Sequence, residues 1–410
     1  MLWGSQVLSA IGDQLHSLAV LWIAVQIGGP KAGLVAASGT TAGTIFGLFA
    51  GVYADRLDRR VAMIVVDVLR AAAVLILAIV AQFGNLQLWQ LGLVAVAVST
   101  LGSLFNPCMS ASLPALVEQP ELLRAMTALM MMTFRIARLI GPGIAGLLLA
   151  YCPVSTFFVI DSASYVVSAV AIWSLGSKYL WRPKSLSKKG GLHGIRVDLA
   201  LSTRVVLRHR QLAFALAISS FEPGLWCAAY LVGLPLLIKQ GALGLANVKV
   251  TDYAVIICAY GCGNVLSLLC VGTHELARRC SFFIGLGLSI MGLGFVLLSS
   301  SGNLIFACLA AAFAATGGPV SDMAMTTLLQ KFPAHYRGKL SSLRSSLDGL
   351  SAAIGLTTAS FLFATVSSTT GIALCGSGIL ILGLVSIICS AFVDKNSVDS
   401  KLKLESSVQA

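Results

Sequence analysis

A small set of ionisable residues falls inside stretches otherwise almost bare of charge: Asp13, His16, Asp67, Arg70, Arg135, Arg138, Asp161, Glu222 and Asp322. Asp13 and His16 are three apart and so share one face of a helix. A carboxylate beside an imidazole could bind and release a proton near neutral pH. The plainer alternative has Asp13 bracing a neighbouring helix while His16 packs. Glu222 immediately precedes Pro223-Gly224, and a carboxylate at a helix break suits a coupling or cation-binding site. Otherwise it is an inward-facing residue with a satisfied partner. Asp322 follows Gly317-Gly318-Pro319 in the same manner. Asp67 and Arg70, also three apart, can bury each other as a local ion pair. Arg135 and Arg138 stand ahead of Gly141-Pro142-Gly143, where proline removes a helix hydrogen bond and glycine permits close helix contact. Asp161 reads as architectural.

What makes these residues informative is the solvent around them. The chain has 410 residues, 57% hydrophobic and 11% charged, against about 25% charged in an ordinary soluble domain. Residues 372–393 carry no charge at all, which is the length a helix needs to cross a bilayer core. Only helices and closed barrels span lipid, and these runs lack strand alternation, so the class is an all-α polytopic membrane protein. Each buried charge then costs roughly 2.5–3.5 kcal/mol at a helix centre. Such groups belong in the bundle interior or in a wet cavity.

The net charge of +12 comes from basic loops and does not point to nucleic acid. No GxxxxGK[ST] phosphate loop occurs, so ATP is not expected as a fuel, and neither a nucleophile elbow nor a zinc motif is present. The ten cysteines and five histidines are scattered and expected to pack rather than to bind metal. No enzyme activity, cofactor or metal is expected, and the proton is the expected coupling ion.

Twelve spans are expected, at about 3–27, 32–54, 61–83, 88–110, 125–150, 154–176, 212–238, 251–273, 281–300, 303–330, 340–366 and 369–393. The first reads as a signal anchor. Placing both termini in the cytoplasm collects Arg56, Arg59, Arg60, Arg124, the block from Lys178 to Arg210, Arg278, Arg279, Lys331, Arg337, Lys339 and Arg344 on that side. The outer loops then keep only Lys31, Lys239 and Lys249. Four regions result: a six-helix bundle over 1–176, a basic linker over 177–211, a second six-helix bundle over 212–393 and a polar tail over 394–410. The linker's second half, with Ile195, Leu199 and Val206 among Arg196, Arg204, Arg208 and Arg210, has the pattern of an amphipathic helix at the membrane surface. Arg59-Arg60 and Arg278-Arg279, and likewise PELLR at 120–124 and PAHYR at 333–337, recur about half a chain apart. Such spacing suggests a six-plus-six duplication with a site between repeats.

The segment GVYADRLDRR at 51–60 resembles the loop signature between the second and third helices of the Major Facilitator Superfamily. Gly51, Asp55, Arg56, Arg59 and Arg60 match it, and Asp58 stands where that family usually has glycine. RLIGPGIAG at 138–146, with Gly141, Pro142 and Gly146, resembles the fifth-helix motif of its proton-coupled exporters. IGDQ at 11–14, FNP at 105–107, FVIDSASYVVSA at 158–169 and TLLQKFPAHYRGKLSSLR at 327–344 resemble its drug:proton antiporter branch, which includes macrolide-efflux and enterobactin-export proteins. The resemblance implies a twelve-helix transporter that exports a drug-like compound or siderophore by alternating access. It also implies that the loop charges act as a cytoplasmic gate and that the fifth-helix motif sets the direction of exchange. A multi-pass monomer in the cytoplasmic membrane, partnered by lipid and a small-molecule substrate, is expected. A lipid or lysophospholipid flippase on the same fold and a non-transporting receptor or scaffold are the rival readings.

Overall fold

The computed structural model describes residues 2–54, 57–84, 86–116, 151–174, 203–241, 250–271 and 279–408, and separate positions between Leu122 and Leu148. These residues are helical, joined by short turns: α1 (Leu2–Gly28), α2 (Ala32–Ala54), α3 (Arg59–Gln82), α4 (Leu88–Leu116), α5 (Val154–Ser174), α6 (Arg210–Trp226), α7 (Leu234–Lys239), α8 (Val250–Val271), α9 (Cys280–Ser299), α10 (Leu304–Gln330), α11 (Ala334–Thr365) and α12 (Ser368–Val408). The described positions between Leu122 and Leu148 are helical too. Ten helices among the described residues are long and apolar enough to cross a membrane, the first of them, Trp3–Ala50, taking in both α1 and α2. A single 3-10 turn, Gly29–Lys31, separates those two. Gly29 adopts φ +54° there, a left-handed conformation that glycine takes without strain.

The faces of α3 show which solvent the chain expects. Met63, Val66, Asp67, Ala71, Val74, Leu77 and Ala78 are buried at helical spacing. On the opposite face Val65, Val68, Leu69, Ile76 and Ile79 are exposed. A helix apolar all round, with its one buried carboxylate turned inward, is built for lipid rather than water.

The chain divides into two compact units. The first comprises Met1–Gly194 and Lys249–Cys258, and the second Ile195–Val248 and Ala259–Ala410. In the first, Met63 and Val66 of α3 pack with Phe105, Cys108 and Met109 of α4, Met130 and Ile172. In the second, α9 lies close against α10 and α12. A Cβ at Gly287 would meet the Ser321 backbone nitrogen at 2.7 Å, and one at Gly285 the Gly383 carbonyl at 2.7 Å. Small residues at such crossings let membrane helices gain dispersion contact where no hydrophobic force drives them together.

Two boundaries differ from expectation. Helix α11 starts at Ala334, so Arg337 and Lys339, left outside the expected span 340–366, are helical. Helix α12 continues to Val408, beyond the apolar stretch, so the expected polar tail is helical there. Of the expected surface helix, 203–208 is helical, and the rest of it lies outside the described residues.

Candidate functional site

Each unit holds a polar cluster made by its own helices. In the first unit, α1 contributes Gln6, Asp13 and His16, α3 contributes Asp67 and Arg70, and α5 contributes Asp161, Ser164, Tyr165 and Ser168. Positions 161, 165 and 168 follow helical spacing, so α5 turns one polar stripe toward α1. The Tyr165 hydroxyl donates to Asp13 Oδ1. His16 Nδ1 lies 3.3 Å from Asp161 Oδ2. Gln6 Nε2 donates to Ser168 Oγ at 2.9 Å. Gly12 makes this approach possible, because a Cβ there would stand 2.7 Å from Asp161 Oδ1.

Arg70 is the cation these groups share. Its guanidinium carbon is 5.1 Å from the Tyr165 ring centre and 5.9 Å from that of Phe105. Its Nε donates to the Val98 carbonyl at 3.3 Å. Among the described residues, Asp13, Asp67 and Asp161 lie in the field of Arg70, and His16 stands beside Asp161. The expected Asp67–Arg70 ion pair does not close: Asp67 Oδ2 is buried without a hydrogen-bond partner, and Arg70 turns to the Val98 carbonyl on α4.

The second unit holds a polar cluster of its own. Arg344 of α11 donates through Nη2 to Asp322 Oδ1 of α10 at 2.8 Å, and its Nε lies 3.5 Å from Asp348 Oδ2 one turn along α11. Glu222 of α6 lies within the field of all three. It is about 18 Å along the helix axis from Arg210, the first residue of α6. Pro223 interrupts the helix beside it, and α6 gives way after Trp226 to a π-helical stretch, Cys227–Gly233. Such stretches recur at functional sites because one inserted residue leaves the helix easily re-registered. Trp226 stacks on Tyr230 at 5.1 Å, and its Nε1 donates to the Tyr260 hydroxyl at 2.8 Å.

Asp13, His16, Asp67 and Arg70 therefore share the first cluster, and Glu222 and Asp322 the second. Arg344, Asp348, Tyr165 and Gln6 were not singled out from sequence. The spacing of Arg344 and Asp348, four apart on one helix, was the available signal. Of the fifth-helix motif, Gly141 is described. It packs on α1, where a Cβ would meet Gln14 Cγ at 2.6 Å. Arg135, Arg138, Pro142 and Gly146 lie outside the described residues, as do Asp55 and Arg56 of the loop signature.

The rest of that loop is clear. Gly51 is in the last turns of α2. Asp58 caps α3, its carboxylate accepting from the Arg60 and Val61 backbone amides at 3.0 and 3.2 Å. Arg59 opens the helix, and Arg60 reaches across to the end of α5. There its Nε donates to the Ile172 carbonyl at 3.4 Å and its Nη2 to the Trp173 carbonyl at 2.5 Å. A cation on the last carbonyls of a helix satisfies orphan acceptors and opposes the negative end of its dipole.

Comparisons with known proteins agree with this architecture. A sequence model described as Major Facilitator Superfamily matches residues 2–356. The uncharacterized MFS-type transporter YfiS of Bacillus subtilis (strain 168) is 25% identical over 94% of this chain and 92% of its own length. Macrolide efflux protein A of Streptococcus pyogenes is 25% identical over 87% of this chain and 86% of its own. Among solved structures, the nucleoside transporter NupG superposes with a TM-score of 0.73 at 11% identity, covering 96% of this chain and 100% of that one. A peptide transporter POT bound to alafosfalin gives 0.71 at 14%, covering 96% and 95%. These two share the fold. With a family match running through both units, the chain belongs to the Major Facilitator Superfamily of membrane transporters.

Proposed function

We propose that this transporter exports a mainly apolar small molecule by alternating access, in exchange for protons. The observation that carries the reading is that carboxyl groups sit in polar clusters on the helices of both units: Asp13 accepts from the Tyr165 hydroxyl and Asp161 stands beside His16 in the first, and Arg344 joins Asp322 and Asp348 near Glu222 in the second. Carboxyl groups held on spanning helices are groups whose proton occupancy can differ between two states of a transporter. The gradient suffices, since one charge crossing 100 mV yields about 2.3 kcal/mol and tenfold concentration costs about 1.4 kcal/mol. The macrolide efflux relatives favour export of a macrolide-like compound.

The finer architecture belongs to the same reading. Twelve spans are inserted in the cytoplasmic membrane with both termini inside, as a monomer. Two six-helix bundles flank the linker, and Asp55 and Arg56 contribute to a cytoplasmic gate. Arg138 pairs with an acid in one conformation and releases it in the other. The test is uptake of a radiolabelled macrolide into everted membrane vesicles. Accumulation should require a proton gradient and collapse with an uncoupler. Uptake that ignores the uncoupler would sink the proposal.

A further inference from the structure

Within the second unit, α6 and α11 line an open cavity of about 820 Å³. Its walls include Phe221 and Gly224 of α6 and Leu350, Ser351, Ile354 and Thr358 of α11, and no charged side chain lines it. That volume lies within the roughly 300–1,000 Å³ of drug-sized sites, which are mostly apolar with a few placed polar groups. Hydroxyls are the polar groups here.

Glu222 is adjacent in sequence to Phe221 and two residues from Gly224, yet it is not part of the cavity wall. The groups it faces are Asp322 on α10, Arg344 and Asp348 on α11, Cys227 in the π-helical stretch and Tyr260 on α8. One turn of α6 thus carries an apolar wall on one side and a carboxyl group on another. Ser351 joins the two. Its Oγ accepts from the Gly224 backbone amide at 3.2 Å and donates to the Phe221 carbonyl at 3.5 Å. These bonds hold the backbone on both sides of Pro223, where the helix ladder is interrupted. The helices touch there, because a Cβ on Gly355 would collide with the Gly224 backbone.

We propose that this cavity receives the uncharged apolar body of the transported molecule, and that Ser351 is the positioning residue that passes its occupancy to Glu222. The proposal rests on the transport reading above. A guest pressing on Ser351 loosens its hold on Gly224 and Phe221. The turn carrying Glu222 then shifts against Arg344, and proton occupancy changes with it.

The experiment uses the purified full-length protein and a radiolabelled macrolide, measuring equilibrium binding and the protons released on macrolide addition to weakly buffered solution. Ile354→Trp fills the cavity and should weaken binding about tenfold or more. Leu350→Trp is the second filling variant, and both sites are already more than half exposed. Measured at saturating macrolide, Ser351→Ala should lose most of the protons released per macrolide bound, and Ser351→Thr should restore them. Undiminished release from Ser351→Ala overturns the role of Ser351. Wild-type binding by both filling variants, or no saturable binding by the wild-type protein, overturns the site. Gradient-driven vesicle transport with unaffected filling variants leaves the transport reading standing and removes this one. Absence of gradient-driven transport removes the reading on which it rests.

Discussion

His16 Nδ1 of α1 stands 3.3 Å from Asp161 Oδ2 of α5, with the two side chains 7% and 0% exposed. Removing either partner leaves the other buried without its counterpart. His16→Phe and Asp161→Asn should therefore each lower the thermal midpoint of the detergent-solubilised protein. The double variant should lose less than the two losses added, with a coupling of about 1–3 kcal/mol. Strict additivity would show that the contact contributes nothing.

At the start of α3, Asp58→Ala removes a side-chain cap and should cost about 1 kcal/mol, seen as faster amide exchange at Arg60 and Val61. Arg60→Lys should free the end of α5 almost as fully as Arg60→Ala. A single ammonium lacks the guanidinium fork that reaches both the Ile172 and Trp173 carbonyls. Full protection in the lysine variant would refute the two-carbonyl contact.

Two glycines of α11 make an internal control. Gly355→Ala forces a Cβ into the Gly224 backbone and should destabilise by about 1–3 kcal/mol. Gly338→Ala meets nothing within 4 Å and should be neutral or stabilise by up to about 1 kcal/mol. Equal midpoints for the two would contradict the close crossing.

His209, just before α6, packs edge-on to Phe332 at 5.1 Å. Burial, and then the neighbouring Arg208, hold its imidazole below the usual 6.5. A histidine with a depressed folded value contributes stability above its unfolded value. That contribution is lost as pH falls below about 6.5 and on through the folded value. Acidification from neutral should lower the protection factors of amides in the first turn of α6, that is, their exchange relative to unstructured amides at the same pH, and His209→Phe should remove the dependence. The opposite slope would contradict the packing.

Length and charge patterning were enough to read helical spans, and three-residue spacing was enough to put Asp13 and His16 on one face. Their partners were not legible. Tyr165 and Asp13 are 152 residues apart, and their meeting depends on how α1 and α5 are rotated about their own axes. In a soluble helix the polar face fixes that rotation. Here, as α3 shows, buried and lipid-facing sides are both apolar, so the pattern says little about rotation. Arg344 was hidden for a related reason. It follows a basic loop stretch and counts there as a topology signal, whereas α11 begins ten residues earlier and carries it to Asp322. Asp58 looked like a departure from a glycine turn, and its use became visible only with the amides of α3 in place.

The central claim is that carboxyl groups within the helices couple export to protons, and Asp13→Asn tests it most directly. In everted vesicles this variant should fail to accumulate labelled macrolide against a gradient. It should still exchange labelled for unlabelled macrolide when no proton gradient is imposed, because the transport path remains and only the coupling is lost. Uncoupler-sensitive accumulation at the wild-type level would contradict the account.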